Sequence, residues 1–272
     1  EKADIEILNR AVMRVLTSKF RMGLFENPFA LSGEELKKNF YCEKDEDVTL
    51  QSALESMVLL KNDGALPISK DVKKVALIGC HGETARFMFG GYTHFSMTEG
   101  QQAAISTMAG LETAKGEKQY EIKTISGTQI QEDNPEFEAI LTHQKPDCKN
   151  LLEALEEVMP NTRIEYSYGY NFAGDDMSHH EEALRVAQDA DLVIVTLGGK
   201  YGTGSIASIG EGNDSTDINL PICQDAFLEK VAKLGKPVVG VHFSGRPISS
   251  DAADKYANAI IEAWNPAEKG AE

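Results

Sequence analysis

The chain has 272 residues, of which 42% are hydrophobic, so it can bury a full core, and no apolar run approaches the ~18 residues that a membrane span requires. Its 43 acidic and 27 basic residues give a formal net charge of −16, which repels nucleic acid and anionic lipid and favours neutral ligands or cations as partners. The four cysteines lie far apart and form no C-x-x-C pair, so the sequence predicts no zinc or redox motif: they are Cys42, Cys80, Cys148 and Cys223. We expect free thiols, which weakly favour a reducing, cytoplasmic compartment.

The first predicted element is an amphipathic helix. Apolar residues recur at helical spacing from Ile5 to Phe20, and Gly23 supplies a stop signal. The opening Glu-Lys-Ala-Asp has neither the basic nor the apolar region of a signal peptide. Residues 23–45 mix glycine, proline, asparagine and charge without a sustained period, which is typical of a linker. We therefore expect a compact domain over residues 46–272, opening with a helix from about Val48 to Asn62.

Short apolar runs then recur along the chain, and each is predicted to form a buried strand. Helical patterns such as Glu181–Gln188 and Leu220–Leu234 lie between several of them. This alternation predicts an α/β fold, a three-layer α/β/α sandwich of the flavodoxin-like type with a mostly parallel sheet. The runs are Val75–Gly79, Ile164–Tyr168, Leu192–Leu197, Val238–Phe243 and Ala259–Trp264.

The polar segment from about Gly116 to Pro146 does not follow this alternation. It shows little periodicity and is too long for an ordinary connection, so we expect either an insertion or a hairpin there.

Ligands of open parallel sheets bind at the carboxyl ends of the strands, so the segments after the apolar runs are candidate sites. The most informative one is the loop Gly198–Ile218, which is rich in glycine and serine and holds Glu211 between two glycines. Glu211 is either a functional carboxylate or an ordinary solvated loop residue. The glycines of Gly198–Gly204 do not have P-loop spacing, so a phosphate site is disfavoured.

Other candidate residues have simple structural alternatives. Tyr92, after Gly90-Gly91, could stack on a sugar or could be an ordinary packed tyrosine. Arg246, in Ser-Gly-Arg-Pro, could bind a ligand, although Pro247 equally suggests a helix start. His179-His180 is expected at a helix start, and no H-E-x-x-H pattern supports a metal.

Taken together, a series of ordered motifs resembles glycoside hydrolase family 3. The last helix of that family's catalytic barrel and the linker after it resemble RAVMRVLTSKFRMGLFENPF here. The helix that opens the family's second domain resembles ALESMVLLKNDGALPI, and the first strand of that domain resembles KKVALIG. YGYNFAGDD, DADLVIVTLG, GEGNDSTDINLPICQ, KPVVGVHFSGRP and AIIEAWNPAEKG follow in the family's order. The resemblance covers nearly the whole chain except about residues 100–147.

The resemblance implies part of a retaining exo-acting β-glycosidase that hydrolyses terminal β-D-glucosides or β-D-xylosides without a cofactor. In the G-E-G-x-D motif, Glu211 takes the place of the general acid/base, and Tyr92 takes the place of the aromatic residue on the aglycone side. The family's nucleophile lies on a barrel domain, here a missing partner. Residues 1–45 then correspond to the barrel's terminal helix and linker, and residues 46–272 to a sandwich domain that stops before its end. The fragment alone is expected to be inactive.

The chain departs from the family's W-x-P-G-x-E-G-G motif. It reads Trp264-Asn265-Pro266-Ala267-Glu268-Lys269-Gly270, which lacks two of the usual glycines. Two other functions remain open: a carbohydrate-binding or scaffold domain without catalysis, and an unrelated flavodoxin-like nucleotide binder.

Overall fold

The computed structural model describes residues 4–40, 43–109, 122–134 and 136–272. It divides into two units, Glu1–Val48 and Thr49–Glu272. No helix within the described ranges is both long and apolar enough to cross a membrane. The thiols of Cys80, Cys148 and Cys223 are free, as predicted, and Cys42 lies outside the described residues.

The first unit begins with the predicted amphipathic helix, α1 (Ile5–Arg21). The Asp4 carboxylate caps it by accepting the backbone N–H of Glu6 at 2.8 Å. Residues 23–45, where the sequence shows no sustained period, contain a further helix, α2 (Gly33–Phe40). Acidic residues in its first turn and lysines in its last turn complement the helix dipole, and eight residues are too few to show a clear period. The next helix, α3, spans Glu43–Ser56.

The second unit contains a six-stranded sheet that confirms the predicted parallel strands. All five predicted apolar runs form strands, and a sixth strand precedes them. The strands are β1 (Val58–Asn62), β2 (Lys74–Ile78), β3 (Arg163–Ser167), β4 (Leu192–Gly198), β5 (Val238–Phe243) and β6 (Ala259–Glu262).

The predicted helix over residues 48–62 is wrong in its second half. Helix α3 ends at Ser56, and Val58–Asn62 pairs antiparallel with β6 as an edge strand. The apolar residues Met57-Val58-Leu59-Leu60 directly follow α3 without a turn signal, so this short strand is easily assigned to the helix before it.

The strand order is β1-β6-β5-β4-β2-β3, and every pair except β1 with β6 is parallel. When the five parallel strands β2 to β6 are renumbered 1 to 5 in chain order, they follow the flavodoxin-like order 2-1-3-4-5. The order reverses between β2 and β4, and a crevice at the carboxyl ends of two such strands is where ligands of this fold class bind.

Helices cover both faces of the sheet, which confirms the three-layer sandwich. The other helices are α4 (His94–Ala109), α5 (Glu136–Gln144), α6 (Leu151–Val158), α7 (His180–Gln188), α8 (Ile222–Val231) and α9 (Asp251–Tyr256). Side chains of α7, α8 and α9 pack on one face against residues such as Ile78 and Val195. Residues of α6 pack on the other face against Leu77 and Ile194.

The irregular segment near residues 116–146 is described from residue 122, apart from residue 135. Its described part contains a tight antiparallel turn in which Thr124 pairs with Gln131 and the N–H of Ile125 donates to the carbonyl of Ile130 at 2.8 Å. This fits the hairpin alternative, and α5 follows it. Residues 116–121 lie outside the described part of the chain.

Candidate active site

Tyr92 and Glu211, the two predicted site residues, meet at the switch point of the sheet. Tyr92 lies after β2 and Glu211 after β4, and the Tyr92 phenol donates a hydrogen bond to Oε2 of Glu211. Both side chains are exposed, Tyr92 by 68%. The hydrogen bond to Glu211 raises the pKa of Tyr92, because it stabilises the protonated phenol. The catalytic and binding roles of the two residues remain predictions.

Two glycines shape the loop around Glu211. Gly210 has φ +135°, and a Cβ there would lie 2.1 Å from the carbonyl oxygen of Gly202. Gly212 has φ +79°, also in the left-handed region. These positions require glycine, so the alternation of glycines in the motif is a backbone requirement for presenting Glu211.

Gln224, at the start of α8, holds the base of this loop. Its side-chain amide accepts the N–H of Gly198 at 2.8 Å and donates to the carbonyl of Gly198 at 2.8 Å. It also donates to the carbonyl of Asn171 at 3.0 Å, and its side chain is fully buried. Gln224 is the last residue of the motif GEGNDSTDINLPICQ, and nothing in the sequence indicates this buried role.

The ring of Tyr201 joins the loops that follow β2, β4 and β5. It packs so closely between two glycines that a Cβ on Gly91 would lie 2.8 Å from its Cε1 and a Cβ on Gly245 2.0 Å from its Cδ2.

The suggested helix start at Pro247 is wrong. Helix α9 begins at Asp251, where the Ser250 hydroxyl accepts the N–H of Ala253 and caps the helix.

A buried ionic cluster joins Lys200 to residues on both sides of Tyr92 in the sequence. Oε1 of Glu99 accepts from Nζ of Lys200 at 2.7 Å and from Nη1 of Arg86 at 2.7 Å. Arg86 also pairs with Asp133 and, through Nε at 3.1 Å, with Glu138. Burial lowers the pKa of Lys200, and Glu99 opposes this shift. Burial also acts to lower the pKa of Arg86, but the carboxylates outweigh it and the pKa is raised.

This cluster does not fit a phosphate site of the P-loop type at Gly198–Gly204, which the sequence already disfavours. The ammonium group of Lys200 faces Glu99 inside the protein, and only a 3-10 turn, Gly204–Ile206, follows the glycines. A phosphate site of the P-loop type needs an accessible lysine and the N-terminus of a helix there.

His81 connects the first residues of the two loops. Its Nε2 lies 2.9 Å from the carbonyl oxygen of Gly199, so Nε2 must carry the proton. Its ring stacks on Phe243 with centroids 5.1 Å apart and an interplanar angle of 8°. Burial lowers the pKa of His81 from 6.5 to about 4, so the imidazole is neutral in the folded protein.

The remaining polar candidates have structural surroundings. His179 precedes α7 and His180 begins it, as predicted, and Nδ1 of His180 lies 2.9 Å from Nζ of Lys230. Arg246 borders a recess of about 430 Å³ that neither Glu211 nor Tyr92 lines. In the described part of the chain, no group of histidine, cysteine, aspartate and glutamate side chains is placed to hold a metal ion.

The altered turn after β6 keeps a conformation that suits glycine. Ala267, at a position where family 3 motifs carry glycine, has φ +57°, and so does Trp264. An alanine there is strained, because its Cβ crowds the backbone in the left-handed region.

Comparisons with known proteins agree with the fold and the motifs. The family model of the glycosyl hydrolase family 3 C-terminal domain matches residues 57–272. A beta-xylosidase of Formosa agariphila is 24% identical over 267 residues, which cover 96% of this chain and 30% of that protein. The periplasmic beta-glucosidase of Salmonella typhimurium is 26% identical over 268 residues, which cover 97% of this chain and 31% of that protein.

Solved structures show the same fold at low identity. The beta-glucosidase from Listeria innocua in complex with isofagomine has a TM-score of 0.67 and 23% identity over 99% of this chain and 30% of that one. A beta-glucosidase involved in saponin metabolism from intestinal bacteria has a TM-score of 0.70 and 22% identity over 98% of this chain and 35% of that one. The chain thus spans about 30% of the length of the curated relatives it matches. Since the family model matches most of its residues, this chain belongs to glycoside hydrolase family 3 and carries the family's C-terminal domain.

Proposed function

We propose that this chain supplies the general acid/base, Glu211, of a retaining exo-acting β-glycosidase that cleaves terminal β-D-glucosides or β-D-xylosides. The observation that carries the proposal is the hydrogen bond from Tyr92 to Glu211 at the switch point of the sheet. The nucleophile is assigned to a barrel domain of the same protein. Relatives named beta-xylosidase and beta-glucosidase, about 70% of whose length lies outside the match, support that assignment.

The chemistry requires two carboxyl groups on opposite sides of the glycosidic bond. A retaining glycosidase holds them ~5–5.5 Å apart, one to attack the anomeric carbon and one to protonate the leaving oxygen. In this proposal the barrel's aspartate attacks and Glu211 gives its proton to the leaving oxygen. Glu211 then takes a proton from the water that releases the sugar.

Tyr92 has two roles in this proposal. Its phenol orients the Glu211 carboxylate through Oε2, which assigns Oε1 to the leaving oxygen. Its exposed ring offers an apolar face to the aglycone.

The test compares Glu211→Gln with wild type in the full-length protein, using two aryl β-glucosides, one with phenol and one with 2,4-dinitrophenol as leaving group. Phenolate is a poor leaving group and needs the proton, whereas dinitrophenolate leaves without it. We expect kcat/KM to fall by about 10²- to 10⁴-fold on the phenyl glucoside and far less on the dinitrophenyl glucoside. The exposed Glu83, in the loop after β2, provides the matched control, and Glu83→Gln should change neither value.

An equally small loss on both substrates would show that Glu211 is an ordinary loop residue. Sugar binding without turnover by the full-length protein would favour the non-catalytic carbohydrate-binding alternative instead.

A further inference from the structure

We infer that Lys200 is a positioning residue that fixes the Glu211 loop against the segment carrying Tyr92, by means of its buried ion pair with Glu99. This inference rests on the proposed role of Glu211. The Lys200 side chain is only 2% exposed, and its Nζ lies 2.7 Å from Oε1 of Glu99. Nothing in the chemistry of glycoside cleavage requires a lysine at this depth, so its role must come from what it connects.

On one side, the ion pair reaches the segment that carries Tyr92. Arg86 and Glu99 lie before and after Tyr92 in the sequence, and they pair with each other at 2.7 Å. This pair closes the segment into a loop, so both of its ends are fixed at one point. Lys200 binds the same oxygen of Glu99 that Arg86 binds, and therefore attaches to this point directly.

On the other side, the backbone of Lys200 is bonded to the residues just before Glu211. The N–H of Lys200 donates to the hydroxyl of Ser208 at 3.0 Å, and its carbonyl accepts the N–H of Ile209 at 3.1 Å. Ile209 in turn accepts the N–H of Gly202 at 2.9 Å. A shift of Lys200 must therefore move Ile209, which lies two residues from Glu211.

Close packing alone does not define this position. A Cβ on Gly100 would lie 2.3 Å from Oγ1 of Thr203, so the two segments touch further along as well. Such contacts tolerate sliding, whereas an ion pair has a defined distance and direction. Buried ion pairs contribute little net stability compared with apolar residues of the same size, and fixing one register is their best-attested use.

The charges of the cluster also make Lys200 hard to replace. Arg86 and Lys200 are the two cations among its described members, and they face the carboxylates of Glu99, Asp133 and Glu138. Without Lys200, Arg86 alone balances three carboxylates, and the Glu99 side chain is free to turn toward Arg86. We expect the fold to persist and the Glu211 loop to lose its fixed position.

The test uses the full-length protein with Lys200→Met, which keeps the side-chain volume and removes the charge. Lys74→Met is the matched control. Lys74 is 18% exposed and pairs with Glu165 at 2.8 Å. It lies at the amino end of β2, whereas the Glu211 loop follows the carboxyl end of β4. Nζ of Lys74 also lies 3.8 Å from Asp189, so Lys74→Met loses two ion pairs where Lys200→Met loses one, and only Lys200→Met disturbs the loop.

The measurement is kcat/KM on the phenyl and dinitrophenyl β-glucosides, together with Tm. We expect Lys200→Met to lose about 10- to 100-fold on the phenyl glucoside and no more than about 3-fold on the dinitrophenyl glucoside, because misplacement of the acid affects only the substrate that needs it. Lys74→Met should leave the ratio of the two values unchanged, whatever its effect on Tm.

If Lys200→Met gives the same ratio as Lys74→Met while Glu211→Gln changes it, the inference is wrong and the proposed function stands. If Glu211→Gln leaves the ratio unchanged, both are wrong. Should Lys200→Met fail to fold, Glu99→Asp decides the question, because it keeps every charge and only shortens the carboxylate side chain. A selective loss on the phenyl glucoside then supports the inference, and an unchanged ratio overturns it.

Discussion

Replacing His81 with phenylalanine should weaken the dependence of the chain's stability on pH. His81 is fully buried directly after β2, where its Nε2 donates to the carbonyl of Gly199 and its ring stacks on Phe243. Burial removes the hydration that a charged imidazolium needs, and this lowers the pKa of His81 from 6.5 to about 4.

The sign and the size of the effect follow from linkage. Between about pH 6.5 and pH 4, the unfolded chain binds a proton at His81 and the folded chain does not. The stability that comes from keeping His81 neutral is therefore fully present above about pH 6.5 and is lost as the pH falls toward 4. Since one pKa unit corresponds to about 1.4 kcal/mol, the loss is about 2 kcal/mol near pH 5 and about 3 kcal/mol below pH 4.

The assay is urea unfolding of wild type and His81→Phe near pH 7.5 and near pH 5. The variant should be less stable near pH 7.5 by about 1–3 kcal/mol, because the Gly199 carbonyl loses its donor. From pH 7.5 to pH 5, however, the free energy of unfolding of wild type should fall by about 2 kcal/mol more than that of His81→Phe.

An exposed histidine, His143, provides the control, and His143→Phe should follow wild type at both pH values. Equal losses for wild type and His81→Phe would refute the reasoning, since His81 would then titrate alike in the folded and unfolded chain.

Three further outcomes are expected. Gln224→Leu should lower the free energy of unfolding by about 3 kcal/mol or more, because the amide makes three buried hydrogen bonds, two of them with Gly198. Ala267→Gly should raise it by about 0.5–1 kcal/mol by relieving the strain at φ +57°. Glu211→Gln should lower the pKa of Tyr92 toward its ordinary value, measured by phenolate absorbance, because the hydrogen bond then ends on a neutral amide.

Each of these has a matched control. Gln188→Leu, at an exposed position at the end of α7, should stay within about 0.5 kcal/mol of wild type, and an equal effect would contradict the role of the buried amide. Ala257→Gly, at φ −79°, should be destabilising, and a gain there would contradict the strain argument. Tyr92→Phe identifies the phenol signal, and an unchanged signal in Glu211→Gln would show that the hydrogen bond is absent in solution.

The sheet could be predicted because strands buried on both faces form continuous apolar runs. Leu192–Gly198 is buried at every position, so its sequence has no polar alternation to obscure it. Strand β1 could not be predicted on the same basis, since four of its five residues are exposed and its partner, β6, lies about 200 residues further along the chain. Pairing with an edge strand depends on tertiary structure and leaves little mark on a five-residue sequence.

The site was predictable only where a backbone requirement or a motif marks it. The glycines beside Glu211 are visible in the sequence because their backbone conformations exclude other residues. Lys200 and Glu99 lie 101 residues apart, and a lysine destined for a buried ion pair is indistinguishable in the sequence from a solvated one. The sequence alone therefore does not indicate the ionic cluster.

The contact between Tyr92 and Glu211 depends on buried contacts between the same parts of the chain. A hydrogen bond between two exposed side chains contributes little in water, and it cannot by itself hold together loops whose residues are 119 positions apart. Two buried contacts join the same parts of the chain: His81 with Gly199, and Lys200 with Glu99, which lies on α4 just after the Tyr92 loop. Because their groups are out of water and well paired, these contacts define the distance between the loops, and the exposed pair follows from it. If Glu211 has its proposed role, substitutions at the buried positions should therefore change its proton transfer to the substrate, although these positions lie inside the protein.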